Sequence, residues 1–285
     1  DSLAFQTRME ELNMSFGCST GNDWTSCSSS MLTENATDAM NLIATAFAAP
    51  RFDDGPFERF QRENLIGIKQ RETSPNWLAR TAMANARYPD HPYARQTSVD
   101  LALMIDKAVE GLPDTSEIEA VADITLTAAP AEPILVDLPQ PQSLVSFSAP
   151  GLKRDDPDFF TAYVLNYTVG GGGFESRLMK SLRVEKGLTY GIYTGLSNSD
   201  HLDSWSGGGQ TKNESAGEFL TGIHDELNQF VADGVTPEEL GIDYFDTRNA
   251  KISAVTLDDV NRVAKDYLSP DRFTFVIVGE PEGIE

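Results

Sequence analysis

The sequence is short of the residues that bind nucleic acid or cross a membrane. Lys and Arg number 22 against 44 Asp and Glu among 285 residues, so the formal net charge at pH 7 is −22. So few cations cannot neutralise a phosphate backbone, which argues against nucleic acid as a partner. No run approaches the roughly 18 consecutive apolar residues of a membrane-spanning helix. The excess of carboxylates predicts an acidic, solvated surface with at most a mild preference for basic peptide segments.

Cysteine is nearly absent, and the two that are present lie close together. Cys18 and Cys27 flank Gly21-Asn22-Asp23, a strong hairpin-turn signal between two Ser/Thr-rich runs. If Asn22 and Asp23 form a two-residue loop, Cys18 lies opposite Cys27 in a non-hydrogen-bonded pair, where side chains approach most closely. A disulfide across the two strands is then within reach, and a pair of free, half-buried thiols is the alternative.

A disulfide would suit an oxidising compartment such as the periplasm. The segment Asp1–Phe5 opens directly on an amphipathic pattern and shows no signal peptide. We expect that the natural N-terminus has been lost. The prediction is therefore a periplasmic or otherwise exported protein, with a cytoplasmic one as the alternative.

The pattern of elements predicts two similar α/β units, residues 1–113 and 134–285, joined by a linker at 114–133. Each unit has the order helix, two strands, a Thr-x-Asn step and a long helix. The step is Thr33–Asn35 in the first unit and Thr211–Asn213 in the second. We therefore predict an internal duplication and an α+β fold, in which helices pack on one face of a largely antiparallel sheet.

In the second unit, the pattern predicts a helix over 156–169, a turn at 170–173 and a helix over 175–186. Two strands are predicted within 191–209, followed by a long helix over 214–232. Further helices are predicted over 2–12, 35–48, 56–72, 75–87 and from 256 onward, and a buried strand over 273–279.

The predicted turn consists of four consecutive glycines, Gly170, Gly171, Gly172 and Gly173. They lack the Gly-Lys-Ser/Thr ending of a P-loop and the spacing of a dinucleotide fingerprint, which argues against nucleotide binding. Glycine tolerates positive φ and lets another chain approach closely, so this stretch, with Phe174 after it, suits contact with an extended peptide at a sheet edge. A long turn without function is the alternative.

Arg183 and Tyr190 lie seven residues apart, across a predicted helix stop at Gly187. The end of the helix and the following strand could bring both side chains to one site. There they could donate hydrogen bonds to a peptide carbonyl or to a developing oxyanion. On spacing alone, the simpler interpretation is an Arg that complements a helix dipole and a Tyr that packs in a strand.

A longer motif contains these residues. It consists of Gly171-Gly172-Gly173-Phe174-x-Ser176-Arg177-Leu178 and Leu182-Arg183-x-x-x-Gly187-Leu188-x-Tyr190, with His91-Pro92-Tyr93, Val255-Thr256-x-Asp258-Asp259-Val260 and Val276-Ile277-Val278-Gly279 elsewhere in the chain. This pattern resembles the pitrilysin/insulinase family of zinc peptidases. The resemblance implies a clam-like enclosure of repeated α/β domains, of which this chain would be one half. It implies that Arg183 and Tyr190 bind substrate and stabilise the tetrahedral intermediate at a zinc site carried by the other half.

The chain departs from catalytic members of that family in its metal ligands. Those members place His-x-x-Glu-His on a helix and add a distant Glu as a third zinc ligand. His91, His201 and His224 form no such motif, and Gly67 lies about where the distant Glu is expected. We predict that this chain holds no metal or cofactor and cleaves no peptide by itself. A partner subunit with His-x-x-Glu-His would carry the zinc.

The chain is also shorter than the halves found in this family. Its first unit has no strand to match 273–279, and the joins near 105–107 and 240–242 are abrupt. We expect that segments are missing from it, including the one where a zinc-binding helix would lie. The predicted function is the non-catalytic subunit of a heterodimeric zinc peptidase that binds extended peptides. The alternatives are a scaffold subunit without a proteolytic role and an active peptidase whose zinc-binding helix is missing from the sequence.

Overall fold

The computed structural model describes residues 2–49, 51, 53–95, 121–240 and 254–284. The chain divides into two compact units, one with residues 1–70 and 97–118 and the other with 71–96 and 119–285. The predicted joins at 105–107 and 241–242 lie outside the described residues, as does the first part of the predicted linker. Between residues 121 and 133 the chain forms no helix or strand.

The described part of the first unit contains three helices and a hairpin. They are α1 (Ser2–Glu11), β1 (Ser15–Thr20), β2 (Thr25–Ser30), α2 (Ala36–Ala48) and α3 (Asp54–Arg71). Leu12, Met14, Ala39 and Ile43 are buried together and form a small core. The Asn35 side chain, just before α2, makes no capping hydrogen bond to that helix, and its Nδ2 donates to the Leu12 carbonyl at 3.0 Å.

Strands β1 and β2 form an antiparallel hairpin closed by Asn22 and Asp23. The Gly21 N–H donates to the Trp24 carbonyl at 2.8 Å, and the register places Cys18 opposite Cys27, as the turn signal predicts. The two cysteines form a disulfide. Nearly every residue of both strands is exposed. Since a lone two-stranded hairpin is marginal in water, the cross-link supplies stability that packing does not.

The second unit is built on a five-stranded sheet in the order β3-β7-β4-β6-β5. The β3–β7 pair is parallel and the other pairs are antiparallel. This arrangement confirms the predicted α+β class. The strands are β3 (Ile134–Asp137), β4 (Gln142–Pro150), β5 (Thr189–Asn198), β6 (Asp203–Lys212) and β7 (Thr274–Gly279), and the helices are α4 (Pro75–Arg87), α5 (Phe159–Asn166), α6 (Ala216–Asp233), α7 (Pro237–Leu240) and α8 (Leu257–Tyr267).

Different helices cover the two faces of this sheet. Val145 and Ile277 lie in the main core with residues of α5, α6 and α8. Their strand neighbours Leu144 and Val278 lie instead in a smaller core with Ala79 of α4. Because successive strand residues point to opposite faces, α4 lies on the face opposite the other three helices. The helices therefore do not all pack on one face of the sheet, whereas the sequence predicted that they would. Helix α4 therefore belongs with the second unit, whereas the predicted boundary at residue 113 placed it in the first.

The chain between α5 and β5 is helical but irregular. A π-helical turn, π1 (Tyr167–Gly171), continues α5, and a second π-helical segment, π2 (Met179–Glu185), precedes β5. The predicted glycine turn is therefore shorter than expected, since its first two glycines belong to π1. Gly187 ends π2 in the left-handed region with φ 64°, and the Leu188 N–H donates to the Leu182 carbonyl. The predicted helix stop at Gly187 is confirmed.

Both units repeat one local arrangement of a hairpin, a 3₁₀ turn and a long helix. The turn is Thr33–Asn35 before α2 and Asn213–Ser215 before α6. The side chains of Asn35 and Asn213 each donate to a backbone carbonyl, that of Leu12 and Gln140 respectively. In the described part of the chain, no helix is long and apolar enough to cross a bilayer.

Candidate functional site

A groove of about 700 Å³ lies on the face of the second unit's sheet that α4 covers only in part. One cross-strand row of its floor consists of Ser146 on β4, Gly208 on β6 and Tyr193 on β5. Asn76 of α4 and Gln210 of β6 also line the groove. Among the described residues that line it, none carries a charge, so the groove offers amides, hydroxyls and backbone groups to a ligand.

Tyr190 lies on this groove at a β-bulge. The β5–β6 register pairs Thr189 with Thr211 and Ile192 with Gly209, so Tyr190 and Gly191 together oppose the single residue Gln210. A bulge breaks the alternation of side chains and re-aims the residue that it contains. The Tyr190 side chain is 86% exposed and lines the groove.

The hydroxyl of Thr189 fastens this bulge. Its Oγ1 lies 2.6 Å from the carbonyl oxygen of Gln210 and 2.9 Å from that of Gly191, and it accepts the Gly191 N–H at 3.1 Å. Thr189 is buried, so this hydroxyl satisfies backbone groups that the bulge removes from the regular ladder. Thr189 therefore positions Tyr190.

Arg183 is brought together with Phe174, and no carboxylate of the described residues forms an ion pair with it. The Arg183 guanidinium carbon lies 4.2 Å from the centroid of the Phe174 ring, within the range of a cation–π contact. Phe174 is 58% exposed, whereas Arg183 is half-buried at the last turn of π2. Burial of Met179 and Leu182 anchors π2, and the Met179 sulfur accepts the Ile192 N–H at 3.4 Å. Tyr190 lines the groove and Arg183 does not.

The glycine stretch has two different structural roles. Gly170 is buried against β5, and a Cβ at this position would lie 2.8 Å from the Thr194 nitrogen. Asn166 covers the same stretch of strand edge, with its Nδ2 3.4 Å from the Thr194 carbonyl oxygen. Gly170 and Asn166 therefore cover the edge of β5 at Thr194. Gly173 differs, since its φ of 60° favours glycine and open space surrounds it.

Comparison with known proteins places this site in a family. The profile of the peptidase M16 inactive domain matches residues 99–241, half of the chain, including the glycine stretch, Arg183 and Tyr190. The chain belongs to the M16 inactive-domain family. This match confirms the resemblance to the pitrilysin/insulinase peptidases.

Similar proteins agree with this assignment. The non-peptidase homolog YmxG of Helicobacter pylori is 21% identical over 277 residues, which cover 84% of this chain and 63% of that protein. An uncharacterized zinc protease of Streptomyces coelicolor is 31% identical over 100 residues, 35% of this chain and 22% of that protein. The crystal structure of a peptidase M16 inactive domain from Pseudomonas fluorescens has the same fold, with a TM-score of 0.82 at 20% identity over 100% of this chain and 85% of that one. This M16 chain thus spans less than two thirds of the curated relatives it matches.

Arg177, in the same M16 motif, has a structural role. Its guanidinium donates two hydrogen bonds of 2.8 Å to the Glu239 carboxylate and one of 2.9 Å to the Gly234 carbonyl, and it lies 3.9 Å from the Phe230 ring centroid. Burial raises the pKa of Glu239, but hydrogen bonds from Arg177 and the Thr236 backbone outweigh it, and the net pKa is lowered. The Arg177–Glu239 ion pair holds the residues just before π2 against the chain that follows α6.

The described residues include no group of three or more His, Cys, Asp or Glu side chains placed to hold a metal ion. His91 is held by two hydrogen bonds, from the Tyr93 N–H to its Nδ1 and between its Nε2 and the Ala122 carbonyl. His201 lies 3.2 Å from Asp123.

The sequence analysis missed most of the residues that line the groove. Asn76, Ser146, Tyr193 and Gln210 come from four separate elements, and their proximity depends on strand order and on the face that α4 covers. The glycines at 207–209 were the available signal, because glycine inside a strand marks a place where another group approaches the backbone.

Proposed function

We propose that this chain is the non-catalytic subunit of a two-subunit zinc peptidase. It binds an extended peptide in the groove and presents Arg183 and Tyr190 to the active site of a partner that bears His-x-x-Glu-His. The observation that carries this proposal is the bulge at Tyr190, which places an exposed phenol beside an uncharged groove at considerable structural cost. A purely structural tyrosine would need neither the bulge nor the exposure.

The groove suits an extended peptide. Its volume of about 700 Å³ lies within the usual range for ligand sites, roughly 300–1,000 Å³. Amide and hydroxyl side chains can pair with peptide N–H and C=O groups, and the absence of charge among the described lining residues favours main-chain recognition over one particular side chain. The exposed rings of Tyr190 and Tyr193 would pack against the peptide. Gly171, Gly172, Gly173 and Phe174 would contact it beyond the groove, whereas Gly170 supports them by packing on β5.

Arg183 and Tyr190 would act as hydrogen-bond donors. Stacking on Phe174 restricts the Arg183 guanidinium without using its N–H groups, which stay able to bind a substrate carbonyl oxygen. The Tyr190 hydroxyl can donate to the same kind of oxygen. Donors held in place before reaction stabilise developing negative charge without reorganisation.

The partner would hold the zinc and the general base, and this chain would hold no cofactor. The Cys18–Cys27 disulfide supports a periplasmic or otherwise exported location for the pair, because disulfides persist in oxidising compartments. Peptides, not nucleic acids, would be the substrates of the complex.

The test uses the full-length protein, assembled with the zinc-bearing subunit from the same organism and assayed on a fluorogenic peptide. We expect Arg183→Ala and Tyr190→Phe to lower kcat by about 100-fold with a smaller effect on KM, as loss of an oxyanion donor does. Tyr163→Phe on α5 is the matched control, since it removes a phenol hydroxyl from a partly exposed tyrosine outside the groove, and it should leave kcat unchanged.

The outcomes separate the competing functions. Normal turnover in both variants would show that the complex does not use these residues and would favour a scaffold subunit. Stoichiometric zinc and peptide cleavage by the full-length chain alone would show a self-sufficient peptidase. A chain that binds no zinc, cleaves nothing alone and activates its partner is the expected result.

A further inference from the structure

A second cavity lies between α4 and the sheet of the second unit. It measures about 320 Å³ and shares Asn76, Ser146 and Ser206 with the groove, so the two lie side by side. Asn76 and Arg87 both line it and lie near opposite ends of α4, roughly 16 Å apart along the helix axis at 1.5 Å per residue. The cavity thus leads from the groove toward the C-terminal end of α4.

Arg87, near the far end of this cavity, is a buried cation. It is 5% exposed, and no carboxylate of the described residues lies within ion-pair distance of it. Its Nη1 donates to the Thr127 carbonyl. Four further N–H groups belong to the same guanidinium. Burial lowers the pKa of Arg87, which reflects the cost of keeping an uncompensated charge away from water.

Arg80 and a group of serines complete the polar surroundings. Arg80 lies two helical turns before Arg87 on α4 and also lines the cavity. Its charge acts on Tyr88, where burial raises the pKa of the phenol and Arg80 offsets part of the rise. The remaining hydroxyls come from neighbouring strands, in the cross-strand pairs Ser148–Ser206 and Ser197–Ser204. The cavity therefore combines two guanidinium groups with hydroxyl donors, in a protein whose net charge is −22.

We propose that this cavity binds the C-terminal carboxylate of the peptide that lies in the groove. A guanidinium matches a carboxylate geometrically and can donate two parallel hydrogen bonds to it. The inference rests on the proposed peptide-binding function and adds that the peptide is held by its end.

The length of the cavity suits the last residues of an extended peptide, with Arg87 available to their terminal carboxylate. A distance of roughly 16 Å accommodates about five extended residues at about 3.4 Å each. Leu126 lines the cavity together with Arg87. Thr127 is tied to α4 there, since its N–H donates to the Arg87 carbonyl. The Thr127 contact also gives Arg87 a structural role, but that role uses only one of its N–H groups.

Peptide binding to the full-length protein tests this proposal. The probes are fluorescently labelled pools of randomised eight-residue peptides, prepared with either a free C-terminal carboxylate or a C-terminal amide. A third pool has an amide end and one internal Asp. We expect the acid form to bind at least about tenfold more tightly than either amide pool, because only the terminal carboxylate can accept charge-assisted hydrogen bonds from the arginines.

Three variants assign the effect to the cavity. Arg87→Gln should abolish the preference for the acid form, and Arg80→Gln, at an exposed position that leaves the core intact, should reduce it several-fold. Arg59→Gln on α3 removes one exposed positive charge elsewhere and should leave the preference unchanged. If Arg87→Gln fails to fold, Arg80→Gln provides the test. An unchanged preference for the acid pool in Arg80→Gln would then overturn the proposal.

The outcomes distinguish this inference from the function on which it rests. Equal binding of the acid and amide pools would overturn recognition of the chain end while supporting a peptide-binding groove. Tight binding of the internal-Asp amide pool alone would show that an acidic side chain is the ligand and would also overturn it. If no pool binds, both the peptide-binding function and this inference are wrong.

Discussion

Two arginines of one motif, six positions apart, have different surroundings. Arg177 is satisfied by Glu239, Gly234 and Phe230 within the protein. Arg183 makes a stacking contact with one exposed ring, and its donors are therefore suited to an external acceptor. A motif match alone does not distinguish the two, because both are arginines on the same short helical stretch. The difference lies in the partner: Arg177 has a carboxylate within reach and is paired inside the protein, whereas Arg183 stacks on a ring and keeps its N–H groups for other acceptors.

Removing the Arg177 side chain should destabilise the second unit. Arg177→Ala leaves Glu239 partly buried without its partner, so we expect a loss of about 2–3 kcal/mol in the free energy of unfolding, measured by urea denaturation. Lys180→Ala is the matched control on the same stretch, since its pair with Glu175 is exposed and should contribute less than about 1 kcal/mol. Equal losses in the two variants would contradict the structural role of Arg177.

The same pair predicts a dependence of stability on pH. The pKa of Glu239 is lowered in the folded protein, so its ionised form contributes stability that is fully present above the unfolded value of about 4.3 and is lost as the pH falls through the folded pKa. The cost of Glu239→Gln in urea denaturation should therefore be largest near pH 7 and should shrink below about pH 4. A cost that stays constant over that range would show that the charge of Glu239 does not matter.

At the scale of single elements, β5 carries most of the candidate site. Its first residues form the bulge that exposes Tyr190, its middle is covered by Asn166 and Gly170, and Tyr193 points to the groove. One strand thus packs against π1 and Asn166 at its middle and lines the groove with Tyr190 and Tyr193. This division requires that the bulge be held by groups outside the regular ladder, which is the role of Thr189.

Replacing the hydroxyl of Thr189 should therefore affect both stability and function. Thr189→Val keeps the shape but leaves backbone groups of the bulge without a partner, so we expect a loss of about 1–3 kcal/mol in urea denaturation and a weaker activation of the zinc-bearing partner. Thr194→Val is the matched control on the same strand, because the Thr194 hydroxyl is buried without a hydrogen-bond partner in the described structure and its removal should be nearly neutral. If Thr189→Val lowers stability but activates the partner normally, the bulge does not contribute to the function of the site.

At the scale of the whole molecule, the two units differ in how they are stabilised. The second has an extensive core that includes Phe147, Trp205, Phe219 and Phe230. In the described part of the first unit, the core contains four buried residues, and the hairpin is exposed and cross-linked. The first unit should therefore depend on its disulfide, whereas the second should not.

Hydrogen exchange measured by mass spectrometry tests this difference. In Cys18→Ser/Cys27→Ser, amides of β1 and β2 should lose protection corresponding to about 2–3 kcal/mol, because the short closed loop no longer restricts the unfolded chain. Amides of β4 and β7 should exchange as in the wild type. The pair Ser19→Ala/Ser26→Ala changes the neighbouring cross-strand position without removing the cross-link and should have little effect. If the amides of the hairpin keep their protection in the cysteine variant, the first unit does not depend on its disulfide.

Local signals predicted the features that depend on a few neighbouring residues. The turn at Asn22–Asp23 predicted the register of Cys18 and Cys27, Gly187 predicted a helix stop, and Thr256 predicted a helix start that has a full capping box with Asp259. Each of these predictions succeeds because the hydrogen bonds of a turn, a helix stop or a capping box join residues only a few positions apart. The residues of the M16 motif likewise predicted the family, because a motif is a property of the sequence and needs no tertiary contact to be recognised.

The tertiary structure decided the features that depend on distant partners. Nothing in the sequence of α4 indicates which sheet face it covers, yet that choice creates both the groove and the cavity at Arg87. Gly170 is typical of an open turn in the sequence, whereas the fold packs it against β5, and the bulge at Tyr190 exists only relative to the register of β6. Such features arise from contacts between residues tens of positions apart, and no local pattern encodes them. The sequence by itself therefore determined the family and the two candidate residues, Arg183 and Tyr190, whereas only the packing of α4 and β5 decided the surface on which a peptide would meet them.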